Sequence, residues 1–186
     1  MIKITGLKKS FDKNVVFDGF DLTVEGPGFY ALSGPSGSGK TTLLRIISGL
    51  DRDYTGKVEV SGVISYVFQE NRLMPSVSAY DNVFEVCHDR ELTSYLLDAV
   101  GLPDAGGKYP SELSGGMARR VAIARALSYP HGILLLDEPF TALDAGVKSR
   151  IISLVKHREQ GKTVIAVTHD PSESEALGCT VIELKK

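Results

Sequence analysis

Residues 29–50 read FYALSGPSGSGKTTLLRIISGL, and the reading of this stretch decides the fold. Phe29 to Ser33 is a short apolar strand; a glycine-rich loop follows, and Leu43, Leu44, Ile46 and Ile47 then give a helix its buried face. Gly34, Gly39, Lys40 and Thr41 fit the pattern G-x-x-x-x-G-K-[ST]. In that pattern backbone N–H groups cradle phosphate oxygens while the lysine reaches the terminal phosphates. Pro35, Ser36, Gly37 and Ser38 fill the loop, and Gly37 adds freedom within it. A helix that starts near Lys40 and Thr41 aims its free N–H groups and the positive end of its dipole at the same anion. The Thr41 hydroxyl is then placed for Mg²⁺.

Working outward, 186 residues are enough to bury a sizeable core in one domain. A hydrophobic content of 42% and a charged content of 24% are ordinary for a soluble globular protein. The net charge of -2, without a basic patch, argues against a nucleic-acid partner, whose phosphates need a basic surface. Cys87 and Cys179 are isolated from each other and from histidine spacings, as reduced thiols of a cytosolic protein would be. The N-terminal MIKITGLKKSF has no apolar core of a secretory signal, and no apolar run is long enough to span a bilayer. Any membrane role is therefore expected to come through a partner.

Residues 1–33 alternate short apolar runs with turn residues, which predicts an antiparallel β layer leading into the nucleotide strand. Ile64 to Phe68 is a further apolar strand ending at Gln69. Between 77 and 100 the period changes to three and four, which predicts helix up to a stop at Gly101. A second helix is expected after Ser114, Gly115 and Gly116, running to Pro130. Gly132 to Leu136 is a continuous apolar run ending in Asp137 and Glu138, the form of a buried parallel strand with charge at its carboxyl end. An amphipathic helix through Val147, Ile151 and Val155, a buried strand from Thr163 to Val167, a short helix from Pro171 and a last strand from Cys179 complete the chain. Strands alternating with helices predict an α/β domain with a largely parallel sheet.

Taken together, these features resemble the ATP-binding cassette (ABC) ATPase family over essentially the whole chain. Gly34 to Thr42 resembles its Walker A loop, Gln69 its Q-loop glutamine, and LSGGM at Leu113 to Met117 its signature. ILLLDE at Ile133 to Glu138 resembles Walker B, TALD at Thr141 to Asp144 the D-loop, and His169 the switch histidine. Phe11 sits where the family has an aromatic residue that stacks on adenine. The resemblance implies a P-loop NTPase (RecA-like) core, an N-terminal antiparallel subdomain and a short helical subdomain inserted at about 70–130, within one domain spanning 1–186.

The resemblance also implies the roles. Lys40 and the amides of residues 34–42 hold the β- and γ-phosphates of ATP, while Thr41, Asp137 and Gln69 hold Mg²⁺. Glu138 activates water, His169 touches the γ-phosphate, and Ser114, Gly115 and Gly116 complete the site of a second, facing nucleotide-binding subunit. Transmembrane permease subunits are the implied partners, which places the chain in the cytoplasm, peripheral to the inner face of the membrane. Asp137-Glu138-Pro139-Phe140 resembles import systems more than export systems. The alternative within the family is a soluble ATPase that drives a mechanical or assembly step. Met117 departs from the usual glutamine of the signature, and with 17 residues after His169 no extra regulatory element is expected in this sequence. Leu73, Met74 and Pro75 form an apolar cluster expected to be exposed toward the membrane subunits.

Overall fold

The computed structural model describes residues 1–12 and 14–184. Three strands, β1 (Ile2–Phe11), β2 (Asn14–Val24) and β4 (Thr55–Val60), form an antiparallel sheet in the order β2-β1-β4. The strand that carries the nucleotide loop, β3 (Gly28–Ser33), instead joins β5 (Ile64–Val67), β6 (Ile133–Asp137), β7 (Thr163–Val167) and β8 (Thr180–Glu183). That second sheet is parallel throughout, in the order β5-β6-β7-β3-β8.

The continuous apolar runs of β6 and β7 follow from burial on both faces of this sheet. Leu134, Leu136, Val164 and Ala166 pack on one side with α2 (Ala79–Cys87), α3 (Arg90–Ala99), α4 (Gly115–Ser128) and α5 (Ala145–Arg158). Ile133, Leu135, Ile165 and Val167 pack on the other with α1 (Lys40–Ile47) and the inner face of the antiparallel sheet. Because side chains alternate across a strand, Asp137 falls on the face of Leu135 and so turns toward α1.

The helical stretch expected at 77–100 is two helices. His88 takes a left-handed conformation (φ 53°) with its amide on the Phe84 carbonyl, and the Asp89 side chain accepts from Leu92 N to start α3. The second helix begins earlier than expected, at Gly115, because the Ser114 hydroxyl accepts from Met117 N at 3.2 Å and caps it. The apolar cluster after Gln69 is also less open than expected. Leu73 packs against the core and Met74 is half-buried, leaving only Pro75 of the three exposed. The cause is Asn82, fully buried on α2, whose amide bonds both Met74 N and Met74 O and draws that loop inward.

Candidate functional site

The loop between β3 and α1 stays tight because two of its glycines, Gly34 and Gly39, have no room for side chains. A Cβ on Gly39 (φ 91°) would meet Val16 Cγ1 at 2.5 Å and the Phe17 ring at 2.7 Å. One on Gly34 would lie 2.8 Å from both Leu184 O and Ser38 Oγ. Gly39 therefore supplies both a left-handed turn and a close approach that any other residue would block. The Lys40 ammonium rests on the carbonyls of Gly34 (2.8 Å) and Pro35 (3.0 Å), which holds a charge beside the loop amides.

The loop borders a cleft of about 340 Å³ lined by Phe11, Asn14, Val16, Ser36, Gly37, Gly39, Lys40, Thr41, Thr42, Glu138, Val167 and His169. The half-exposed Phe11 ring stands at its rim. Behind that ring lies Lys9, its ammonium 4.5 Å from the ring centroid and itself bound to Asp51 Oδ1 (3.0 Å) and Asp53 Oδ2 (3.3 Å). A buried cation under one face leaves the other open for a planar base.

On the floor of the site, the Thr41 hydroxyl donates to Asp137 Oδ1 at 3.0 Å and the Tyr66 hydroxyl to Asp137 Oδ2 at 3.2 Å. Burial raises the Asp137 carboxyl above its ordinary range, opposed by these two hydrogen bonds, and the neighbouring Glu138 charge adds to the rise. Burial likewise pushes the Tyr66 hydroxyl well above the usual tyrosine range, with the Asp137 charge acting in the same direction. A hydroxyl and a carboxylate oxygen side by side are the hard oxygen donors that Mg²⁺ takes, together with phosphate oxygens and water. Glu138 extends to the cleft, where its Oε1 meets His169 Nε2 at 2.8 Å.

Lys40, Thr41, Glu138 and His169 therefore meet in the cleft, with Asp137 behind Thr41. Phe11, Ser36, Gly37, Gly39 and Thr42 frame them, while Gly34, Pro35 and Ser38 shape the loop without lining the cleft. Gln69 does not enter the cleft; it lines a small hollow on the far side of Asp137 with Arg45, Phe68, Glu70 and Arg72. Ser114, Gly115 and Gly116 lie outside it too, with Ser114 and Gly115 exposed and Gly116 packed toward the Ala142 carbonyl. Met117 is partly buried against the core, so an apolar residue suits the fifth signature position. Asn14, Val16, Tyr66 and Arg119 were not singled out by the sequence. Only the aromatic Tyr66, one strand over from Asp137, carried a usable signal.

The ABC transporter family model matches residues 17–141. This chain belongs to the ABC transporter family. Among its relatives, the aliphatic sulfonates import ATP-binding protein SsuB 2 of Frankia alni is 43% identical over 99% of this chain and 77% of that protein. The aliphatic sulfonates import ATP-binding protein SsuB of Corynebacterium glutamicum is 42% identical over 97% and 79%. Among solved structures, a dimeric ATP-binding cassette in a post-hydrolysis state bound to ADP and Pi superposes with a TM-score of 0.89 at 31% identity, over 100% of this chain and 94% of that one. As an ABC cassette the chain is an ATP-binding, ATP-hydrolysing subunit, and the P-loop fold expected from the sequence is the one observed. Among the described residues, no helix is long and apolar enough to cross a membrane.

Proposed function

We propose that this cassette hydrolyses ATP with Glu138 as the base and so powers uptake through separate transmembrane permease subunits. The observation that carries the reading is the meeting of Lys40, Thr41, Glu138 and His169 in one cleft, with Asp137 behind Thr41, at the carboxyl ends of three adjacent parallel strands. The loop amides and Lys40 bind the phosphates, and Phe11 stacks the base. Thr41 and Asp137 would hold Mg²⁺, with Gln69 touching that set only through the hollow it shares with Asp137 outside the cleft; the ion would screen phosphate charge. Glu138 takes the proton of the attacking water. His169 orients the Glu138 carboxylate and faces the terminal phosphate.

The chain is read as one cassette domain with the 70–130 helical segment inserted between β5 and β6. Ser114 to Gly116, outside their own cleft, are free to close the cleft of a second copy, in line with the dimeric solved cassettes. Permease contact would place the cassette on the inner face of the membrane. Because the relatives named above are sulfonate importers, an aliphatic sulfonate is the first cargo class to try.

Purification from detergent-solubilised membranes should bring down an integral-membrane permease, and cargo should stimulate ATPase activity of that complex. Recovery with ribosomes or DNA instead would reject the transport reading in favour of a soluble mechanical ATPase. Lys40→Ala should weaken ATP by about 10- to 100-fold, the range for a lost charge-assisted hydrogen bond. Calorimetry with Mg²⁺ present checks it, and unchanged affinity would remove the loop from the binding site.

A further inference from the structure

Arg119 lies on α4, five residues beyond the Ser114 cap, and is 3% exposed. Its guanidinium is saturated by main-chain carbonyls from two separate loops. Nε donates to Pro139 O at 2.9 Å. One terminal nitrogen donates to Phe68 O and, at 3.2 Å, to Gln69 O; the other donates to Asp137 O at 2.9 Å and to Glu138 O. Three successive carbonyls, 137 to 139, can converge on one group only if the chain turns sharply between them. Glu138 makes that turn with φ +49°, a left-handed conformation that a residue with a Cβ adopts only when its surroundings hold it there. The turn separates the two carboxylates, Asp137 toward Thr41 and Glu138 toward His169.

We propose that Arg119 is a positioning residue for hydrolysis: it clamps the left-handed turn that aims Glu138 into the cleft, and ties that turn to the Gln69 segment and to the signature helix. The clamp rests on the reading of Glu138 as the base. A planar fork with five fixed N–H groups can join five carbonyls at once; a lysine ammonium, with three donors on one atom, cannot span them. The start of α4, the end of β5 and the Glu138 turn then move as one body. Any shift imposed on α4 or on the Gln69 segment is passed to the reacting carboxylate without passing through bound nucleotide.

The test compares Arg119→Lys, which keeps the buried charge, with Arg119→Met, which keeps only the length, each alone and combined with Glu138→Gln. For Arg119→Lys, ATP affinity by calorimetry should stay within about twofold while kcat falls about 10- to 100-fold, the cost of misplacing a reacting group by about an ångström. In the Glu138→Gln background the same substitution should lower the residual rate no further, because the group it positions is already gone. If Arg119→Met does not fold, Arg119→Lys decides alone. A fall in ATP affinity matching the fall in kcat, or rate losses that multiply in the double variant, would overturn the proposal and leave Arg119 a packing residue. A Glu138→Gln variant at the wild-type rate would instead overturn the base assignment, and the proposal with it.

Discussion

Glu138→Gln is expected to lower ATP hydrolysis by about 100-fold or more while ATP still binds. The substitution keeps the side chain's size, the left-handed turn at 138 and the Thr41–Asp137 pair, but removes the carboxylate that takes the proton from water. It also weakens the contact with His169, whose Nε2 lies 2.8 Å from the Glu138 oxygen it would lose as an anion. Binding and chemistry are thereby separated. With hydrolysis blocked, ATP held by Lys40 and the loop of one copy should stay pressed against Ser114 to Gly116 of the other, so a dimer should persist. Analytical ultracentrifugation with and without ATP, beside an ATPase assay, reads both effects. A wild-type rate would remove Glu138 as the base; an inactive variant that stays monomeric with ATP would leave the base in place and sink the two-copy site.

His131→Ala is expected to destabilise the fold by about 1–3 kcal/mol, the usual cost of removing one partner from a buried hydrogen-bonded group, with Lys162 still bound to Glu159 at 3.2 Å. The His131 and Glu159 side chains are fully enclosed, with Nε2 2.8 Å from Glu159 Oε2 and Nδ1 against the Tyr129 carbonyl. This contact joins the turn before β6 to the end of α5, at the opposite end of β6 from Asp137. Burial pushes the Glu159 carboxyl up, but the His131 hydrogen bond and charge, followed by Lys162, outweigh it and leave the pKa below the ordinary carboxylate range. A carboxylate depressed in the folded state contributes stability above its unfolded pKa of about 4.3 and loses it as pH falls through the folded value. Urea unfolding of wild type and variant at pH 7 should show the full gap, narrowing once the pH falls below the unfolded carboxylate pKa. A gap under about 1 kcal/mol at pH 7 would mean the pair adds no more than an exposed one.

The nucleotide loop, both buried strands and the residues at their carboxyl ends were legible in the sequence because each is a local pattern. An apolar run sets a strand buried on two faces, and the glycine spacing sets a loop that only glycine can form, as the 2.5 Å approach to Gly39 bears out. The break at His88 was missed because the apolar spacing of three and four holds on each side of it, and the step of five from Cys87 to Leu92 was passed over. A second local mark was Asp89, three residues ahead of the Leu92 amide that it caps.

By itself the sequence determined the fold class, the family and the roster of charged and hydroxyl side chains around the cleft, because those depend on side-chain chemistry and on neighbours a few residues apart. Tertiary structure alone decided which of them meet. Thr41 reaches Asp137 across 96 positions, Gln69 turns to the far side of that carboxylate, and Ser114 to Gly116 stay away from their own cleft. It alone also gave Arg119 its place, since the five carbonyls that hold it belong to the backbone, which every residue carries alike and which leaves no mark in the amino-acid sequence.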